Sequence, residues 1–293
     1  MKGLFKGSGV AIVTPFKDGE IDFHRLEQLL EWHIQQGTDA IIICGTTGET
    51  PCTTDEEQED LIAFAIEKVD HRVPVIAGTG SNSTYHAVAM SRFADEKGAD
   101  GILVMNPYYN KGTQNGIVKH FQAVSDAVRC PIIVYNVPSR TGCNIEVETM
   151  VKLSQIENVK AVKEASGDIV QVAEIARLCG KDLAIYSGND NQVVPILSLG
   201  GHGVISVSAN IIPTDMSRMV HLYHEGKIKD SLELQLKMNG LNKALFLEAN
   251  PIPVKAALQL MNMDTGELRM PLTPLEEKHL EVLKKEMTAY GLL

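Results

Sequence analysis

Lys163, in the run V-K-A-V-K-E-A-S-G-D at residues 159–168, is the residue from which chemistry is most directly read. The run opens with alternating small and apolar residues and ends in a turn. Helical spacing then resumes at Ile169, Val172, Ala173 and Ala176. That is the pattern of a short buried strand, a loop and a helix. A lysine late in such a strand sits where low dielectric disfavours its charged form, and a neutral amine attacks a ketone to form a Schiff base. The same spacing also fits a lysine whose ammonium reaches solvent at the strand end, and the stretch alone does not separate the two readings.

The elements that would position this lysine repeat along the chain. Apolar runs recur at residues 10–14, 40–44, 73–77, 101–105, 131–135, 159–163, 183–186 and 203–207, separated by amphipathic stretches. Leu26, Leu29, Leu30 and Ile34 form one helical stripe, and Ile117, Phe121, Val124 and Val128 another. Thr54 followed by Glu57 reads as a capping box before Leu61, Ile62, Ala65, Ile66 and Val69. Near-continuous apolar strands alternating with helices imply a parallel sheet. Eight βα units predict a closed (β/α)8 TIM barrel, an α/β fold, rather than an open doubly wound sheet. The open sheet would carry a G-x-G-x-x-G after the first strand, and none is present. Past about Gly226 only helical spacing remains, punctuated by Pro251, Pro253, Pro271 and Pro274. The expected division is a catalytic barrel over residues 1–225 and a small C-terminal helical domain over residues 226–293.

In such a barrel the chemistry collects at the C-terminal ends of the strands. Those ends carry G-T-T-G-E (45–49), N-P-Y-Y-N (106–110), Y-N-V-P-S-R-T-G (135–142), Lys163, S-G-N-D (187–190) and S-V-S-A-N (206–210). Each has an ordinary structural alternative. G-T-T-G-E could be a tight turn, Tyr135 a core tyrosine, the Tyr108–Tyr109 pair surface stacking, and Arg140 a loop cap. No G-K-[ST] follows G-T-T-G-E, so it is not a P-loop. Convergence on one face is what raises Lys163 above its alternative. His221, His224 and Glu225 lie together on a predicted helix, but away from that face and without a second cluster, which gives little support for a metal site. No Ser-His-Asp arrangement is legible.

Composition sets outer bounds. The 293 residues carry a formal charge of −10, with 44% hydrophobic and 22% charged residues. That balance is globular, and it argues against non-specific nucleic-acid binding. No apolar run approaches the roughly 18 residues of a membrane span. The stretch M-K-G-L-F-K-G-S-G lacks the apolar core of a signal peptide. Five cysteines, an odd number without C-x-x-C spacing, fit free thiols in a reducing cytosol.

With G-T-T-G-E, Y-N-V-P-S-R-T-G, V-K-E-A-S-G-D and the late N-P-I-P-V-K (250–255) in this order, the chain resembles the pyruvate-dependent class I aldolase family over nearly its whole length. The match is best with the branch whose second substrate is L-aspartate 4-semialdehyde. The resemblance implies that Lys163 forms the imine with pyruvate and that Tyr135 shuttles protons. Thr46 would link Tyr135 to Tyr109 of a neighbouring subunit. Thr46 and Thr47 would hold the pyruvate carboxylate, Arg140 would receive the carboxylate of the semialdehyde, and Gly188 and Ile205 would line the site through their backbones. No metal or organic cofactor is implied. The assembly implied is a homotetramer, a dimer of dimers. The nearest alternative within the family is N-acetylneuraminate lyase or a related sugar-acid aldolase, for which a cation at Arg140 would be out of place. A non-catalytic binding barrel is the alternative of a different class. Family members inhibited by L-lysine bind it in a cleft at the dimer interface, at positions matching Thr50, Pro51, Asp55, Gln58, Asn82, His86 and Tyr108. Asp55, Gln58 and His86 depart from the regulated pattern, so weak or absent inhibition is expected.

Overall fold

A methyl group on Gly203 would lie 1.8 Å from the carbonyl oxygen of Gly7, its partner in strand register. Only glycine permits that approach, and it is where the sheet closes on itself. The computed structural model describes residues 4–293; the first three residues of M-K-G-L-F-K-G-S-G lie outside the described residues. Eight strands form the closed barrel: β1 Gly7–Ala11, β2 Ala40–Ile43, β3 Val75–Gly78, β4 Gly101–Met105, β5 Ile132–Asn136, β6 Val159–Glu164, β7 Ala184–Ser187 and β8 Gly203–Ser206. Each pairs in parallel with its neighbours in sequence, and β8 pairs with β1. Helices α1 Phe23–Gln35, α2 Asp55–Val69, α3 Thr84–Lys97, α4 Gln114–Ser125, α5 Val147–Leu153, α6 Ile169–Cys179, α7 Val193–Ser198 and α8 Pro213–His224 follow the strands in turn. The expected (β/α)8 barrel is the observed fold.

Strand alternation explains why these runs read as continuously apolar. Ala40, Ile42, Ile76, Leu103, Ile133, Ala161, Ala184 and Ile205 fill the barrel interior. Ile41, Ile43, Val104, Val134, Val162 and Ile185 face the helices. Both faces are buried, as parallel sheets require. The same parity turns Tyr135 inward and places Lys163 two residues beyond inward-facing Ala161. The capping box is present: Glu57 N donates to Thr54 Oγ1 (3.2 Å) and Thr54 N to Glu57 Oε2 (2.9 Å). Asp168 caps α6 through the Val170 and Gln171 amides.

Most strand ends lie within one residue of the expected runs, and three boundaries differ by two residues or more. The first strand spans Gly7–Ala11, not residues 10–14, because its glycines read as loop, whereas a methyl on Gly7 would meet the Asp39 carboxylate and one on Gly9 the Ile42 and Phe5 side chains. Residues beyond it run on toward a two-stranded hairpin, Phe16–Lys17 with Glu20–Ile21. The third strand begins at Val75 rather than Val73. Pro74 lacks an amide to donate, although its carbonyl accepts from Ile41 N at 2.9 Å. Val128 falls outside α4, which ends at Ser125.

Beyond α8 come α9 Ile228–Ala244, α10 Ile252–Leu260 and α11 Glu277–Tyr290. We propose that residues 226–293 are a helical appendage to a catalytic barrel of residues 1–225. Its contacts with the barrel include Arg269 on Glu57, and limited proteolysis would read the boundary. Among the described residues, no helix is long and apolar enough to cross a membrane.

Candidate active site

Lys163 ends up 6% exposed near the C-terminal end of β6, directly across from Tyr135 on β5. Its Nζ lies over the Tyr135 ring, 4.3 Å from the centroid. Among the described residues this amine has neither an ion-pair partner nor a hydrogen bond. An amine without a counter-ion, facing a cavity, is the kind of group that can add to a carbonyl. A second lysine, Lys255 on α10, is fully buried but saturated. Its Nζ contacts Glu49 Oε1 at 2.8 Å and donates to the Thr14 carbonyl at 2.9 Å. Burial alone therefore does not distinguish the two lysines; the missing counter-ion does.

The cavity at the barrel mouth, of about 380 Å³, brings together Thr46, Thr47, Tyr135, Arg140, Lys163 and Gly188. Thr46 and Thr47 sit on a single 3-10 turn, Thr46–Gly48, that follows β2. Arg140 lies on the helical turn Pro138–Thr141 that follows β5, and its Nη2 donates to the Asn250 carbonyl at 3.1 Å. Its exposed guanidinium lines this cavity and also an adjoining one of about 520 Å³. A carboxylate entering the mouth meets that cation. Ile205, 1% exposed on β8, packs in the interior layer, outside the residues lining the cavity. Tyr109 stands apart. It is 87% exposed with φ 69°, so within one chain it joins neither Tyr135 nor Thr46. Tyr135 and Thr46 share the cavity without a direct hydrogen bond.

The interior has another tyrosine, and its role is different. Tyr186 on β7 donates its hydroxyl to the Phe5 carbonyl (2.6 Å) and stacks on the Phe5 ring. Burial pushes its pKa up to about 12, which keeps it neutral. Tyr135 has no such bond, so its hydroxyl is free to meet a ligand.

Sequence reasoning left several lining residues without a role. Asn250, Ala249 and Phe246 come from the C-terminal helical segment, and Ser139 and Asn189 from strand-end loops. Asn250 Nδ2 donates to Thr47 Oγ1 at 2.9 Å. The available signal was N-P-I-P-V-K, a proline-punctuated run that sets a lysine in an otherwise apolar helix. His221 and His224 are engaged elsewhere, with Asp39 (2.9 Å) and the His202 carbonyl (3.2 Å). Among the described residues, Glu248, Glu276 and His279 form a group of metal-ligand types, none of which lines the cavity, and His279 and Glu248 already bond each other.

The fold and its mouth define a class: a (β/α)8 barrel whose strand ends surround a buried, unpaired lysine. The chain belongs to the dihydrodipicolinate synthetase family, whose model matches residues 4–290. It is 59% identical over 291 residues to a 4-hydroxy-tetrahydrodipicolinate synthase of Thermoanaerobacter sp. (strain X514), covering 99% of this chain and 98% of that one. The dihydrodipicolinate synthase of Thermotoga maritima superposes with a TM-score of 0.97 at 43% identity, covering 99% and 100% of the two chains. The chloride-inhibited dihydrodipicolinate synthase of Acinetobacter baumannii, solved with pyruvate, gives 0.96 at 42%, covering 98% and 99%.

Gly188 tests how tightly the mouth is built. A methyl there would lie 3.2 Å from Lys163 Cε, 3.1 Å from the Glu164 carbonyl and 2.6 Å from Ala165 Cβ. Gly188→Ala is expected to displace the lysine stem and slow borohydride-trapped imine formation with pyruvate. Its overpacking cost should be about 1–3 kcal/mol in a thermal melt. Trapping at the parental rate would show that the mouth tolerates the methyl.

Proposed function

We propose that this protein condenses pyruvate with L-aspartate 4-semialdehyde to give 4-hydroxy-tetrahydrodipicolinate, in the diaminopimelate route to L-lysine. The observation that carries the reading is the buried, unpaired amine of Lys163 in one cavity with Tyr135, the Thr46–Thr47 turn and Arg140. Lys163 adds to the pyruvate ketone and, with loss of water, forms the imine. The imine draws electrons, so the methyl loses a proton and becomes an enamine. The enamine carbon bonds to the aldehyde carbon. The substrate's amine then closes on the imine carbon and expels Lys163. Tyr135 is the proton carrier, Thr46 and Thr47 bind the pyruvate carboxylate, Arg140 binds that of the semialdehyde, and Gly188 contributes backbone; the backbone role of Ile205, which lies outside the lining residues, rests on the resemblance alone. The reaction needs no organic cofactor or metal. Arg140 at the mouth favours this reading over a sugar-acid aldolase, whose polyol chain calls for hydroxyl and amide partners.

One experiment tests enzyme, nucleophile and acceptor together. Borohydride with pyruvate should add mass to the parent on Lys163, and Lys163→Ala should take up none. Arg140→Ala should still be labelled but lose about 10–150-fold in turnover with the semialdehyde, the value of a charged hydrogen bond. Labelling of Lys255 instead, or equal loss of both steps in Arg140→Ala, would contradict the assignment. A barrel that only binds its ligand would give no adduct.

Tyr109, outward-facing and apart from the cavity, is placed where a second chain could take it up, and the family resemblance extends this to a homotetramer of two dimers with a shared Tyr135–Thr46–Tyr109 relay. Sedimentation of the active enzyme should show four chains, and a fully active monomer would refute the relay. All five cysteines are free thiols, which supports a cytoplasmic location that cell fractionation would read.

Feedback by L-lysine is expected to be weak. The 520 Å³ cleft gathers Thr50, Pro51, Asp55, Gln58, His86 and Tyr108, though not Asn82. Asp55 and His86 already bond each other at 2.8 Å, and Gln58 Nε2 is used on the Gly78 carbonyl at 2.8 Å. Titration of the rate with L-lysine to millimolar levels should leave most activity. Saturable inhibition at micromolar levels would overturn this.

A further inference from the structure

We propose that the Lys255–Glu49 ion pair is a positioning device for pyruvate recognition, a reading that rests on the function proposed above. Both side chains are 0% exposed, and their charged atoms lie 2.8 Å apart. Glu49 directly follows the Thr46–Gly48 turn and adopts the left-handed conformation, φ 56°. A non-glycine residue holds that conformation only where its surroundings fix it. Here they do so at each atom. Glu49 N donates to the Thr46 carbonyl (3.1 Å), Oε1 takes Lys255, and Oε2 accepts from Arg269 N (3.0 Å).

Lys255 Nζ also donates to the Thr14 carbonyl, and Thr14 Oγ1 in turn donates to the Gly48 carbonyl at 2.7 Å. One ammonium thus ties together the segment after β1, the turn after β2 and the C-terminal helix α10. Its remaining face lies over the Phe16 ring, 4.5 Å from the centroid. The backbone so fixed carries Thr46 and Thr47, the donors assigned to the pyruvate carboxylate. Neither charged group touches the cavity itself, so the pair acts through the turn.

Stability alone is a poor reason for this arrangement. Withdrawing two charges from water offsets most of their attraction, and apolar replacements of similar volume commonly match or exceed a buried pair in stability. What apolar side chains cannot do is fix the direction of a carbonyl and of a left-handed residue by hydrogen bonds. The expected signature of their loss is weaker ground-state binding of pyruvate with the chemical step largely kept.

The test is the double variant Glu49→Leu/Lys255→Met, which removes both charges and keeps the volume. It should still fold, melting somewhat below the parent because the Thr14 carbonyl and the Arg269 amide lose their partners. Its KM for pyruvate should rise about tenfold or more while kcat at saturating pyruvate changes less than about threefold. Borohydride at saturating pyruvate should still label Lys163. A folded double variant with the parental KM would overturn the proposal and leave the pair as packing. If the double variant does not fold, Glu49→Gln decides. It keeps the shape and one acceptor, and a KM raised about threefold supports positioning while an unchanged KM refutes it. Failure of the parent to be labelled by pyruvate would instead reject the functional reading, so the two failures are distinguishable.

Discussion

Two lysines are buried at one end of this barrel, and only one has a carboxylate. The mouth depends on that asymmetry. Lys255 is paired with Glu49 and held by a carbonyl, so its ammonium is fixed among protein groups. Lys163 meets an aromatic face and no anion. The nearest carboxylate in sequence, Glu164, is turned to the opposite face of β6 by strand parity. There it accepts from Asn136 Nδ2, Ser166 N and Gln171 Nε2. Burial holds its carboxyl above the usual range, and those donors pull the other way. Two adjacent ionisable residues thus serve opposite ends without interfering.

Much of this was legible because period and parity are local. Apolar runs at βα spacing give the barrel, and the inward parity of Ala161 carries over to Lys163. The failures have physical causes as specific as the successes. The start of β1 was hidden because Gly7 and Gly9 carry no strand signal, although a methyl at either would collide with the Asp39, Ile42 or Phe5 side chain. The contribution of Asn250 and Phe246 could not be read locally, because it depends on how a helical segment folds back over the mouth. Tyr109 shows a third limit. Its type and loop position invite a role, but a single chain leaves it facing solvent. Lys255 was legible only as the end of N-P-I-P-V-K, and its partner, Glu49, lies 206 residues earlier in the chain.

The strand ends are held by side chains that bridge neighbouring loops, and this explains how short strands present a defined site. Thr14, after β1, bonds the Gly48 carbonyl after β2. Gln58 on α2 bonds the Gly78 carbonyl at the end of β3. Asn106, after β4, bonds the Cys143 carbonyl after β5. Asn136, ending β5, reaches Glu164, ending β6. Asp190, after β7, accepts from Val207 N and Ser208 N after β8. Asn210, after β8, donates to the Ala11 carbonyl and accepts from Val13 N, returning to β1. Each such bond contributes only about 1 kcal/mol net, but a buried group left without its partner costs about 1–3 kcal/mol. Displacing one loop therefore penalises its neighbour as well. That linkage makes the mouth stiff, and a stiff mouth is what holding an amine, a hydroxyl and a guanidinium at fixed separations requires.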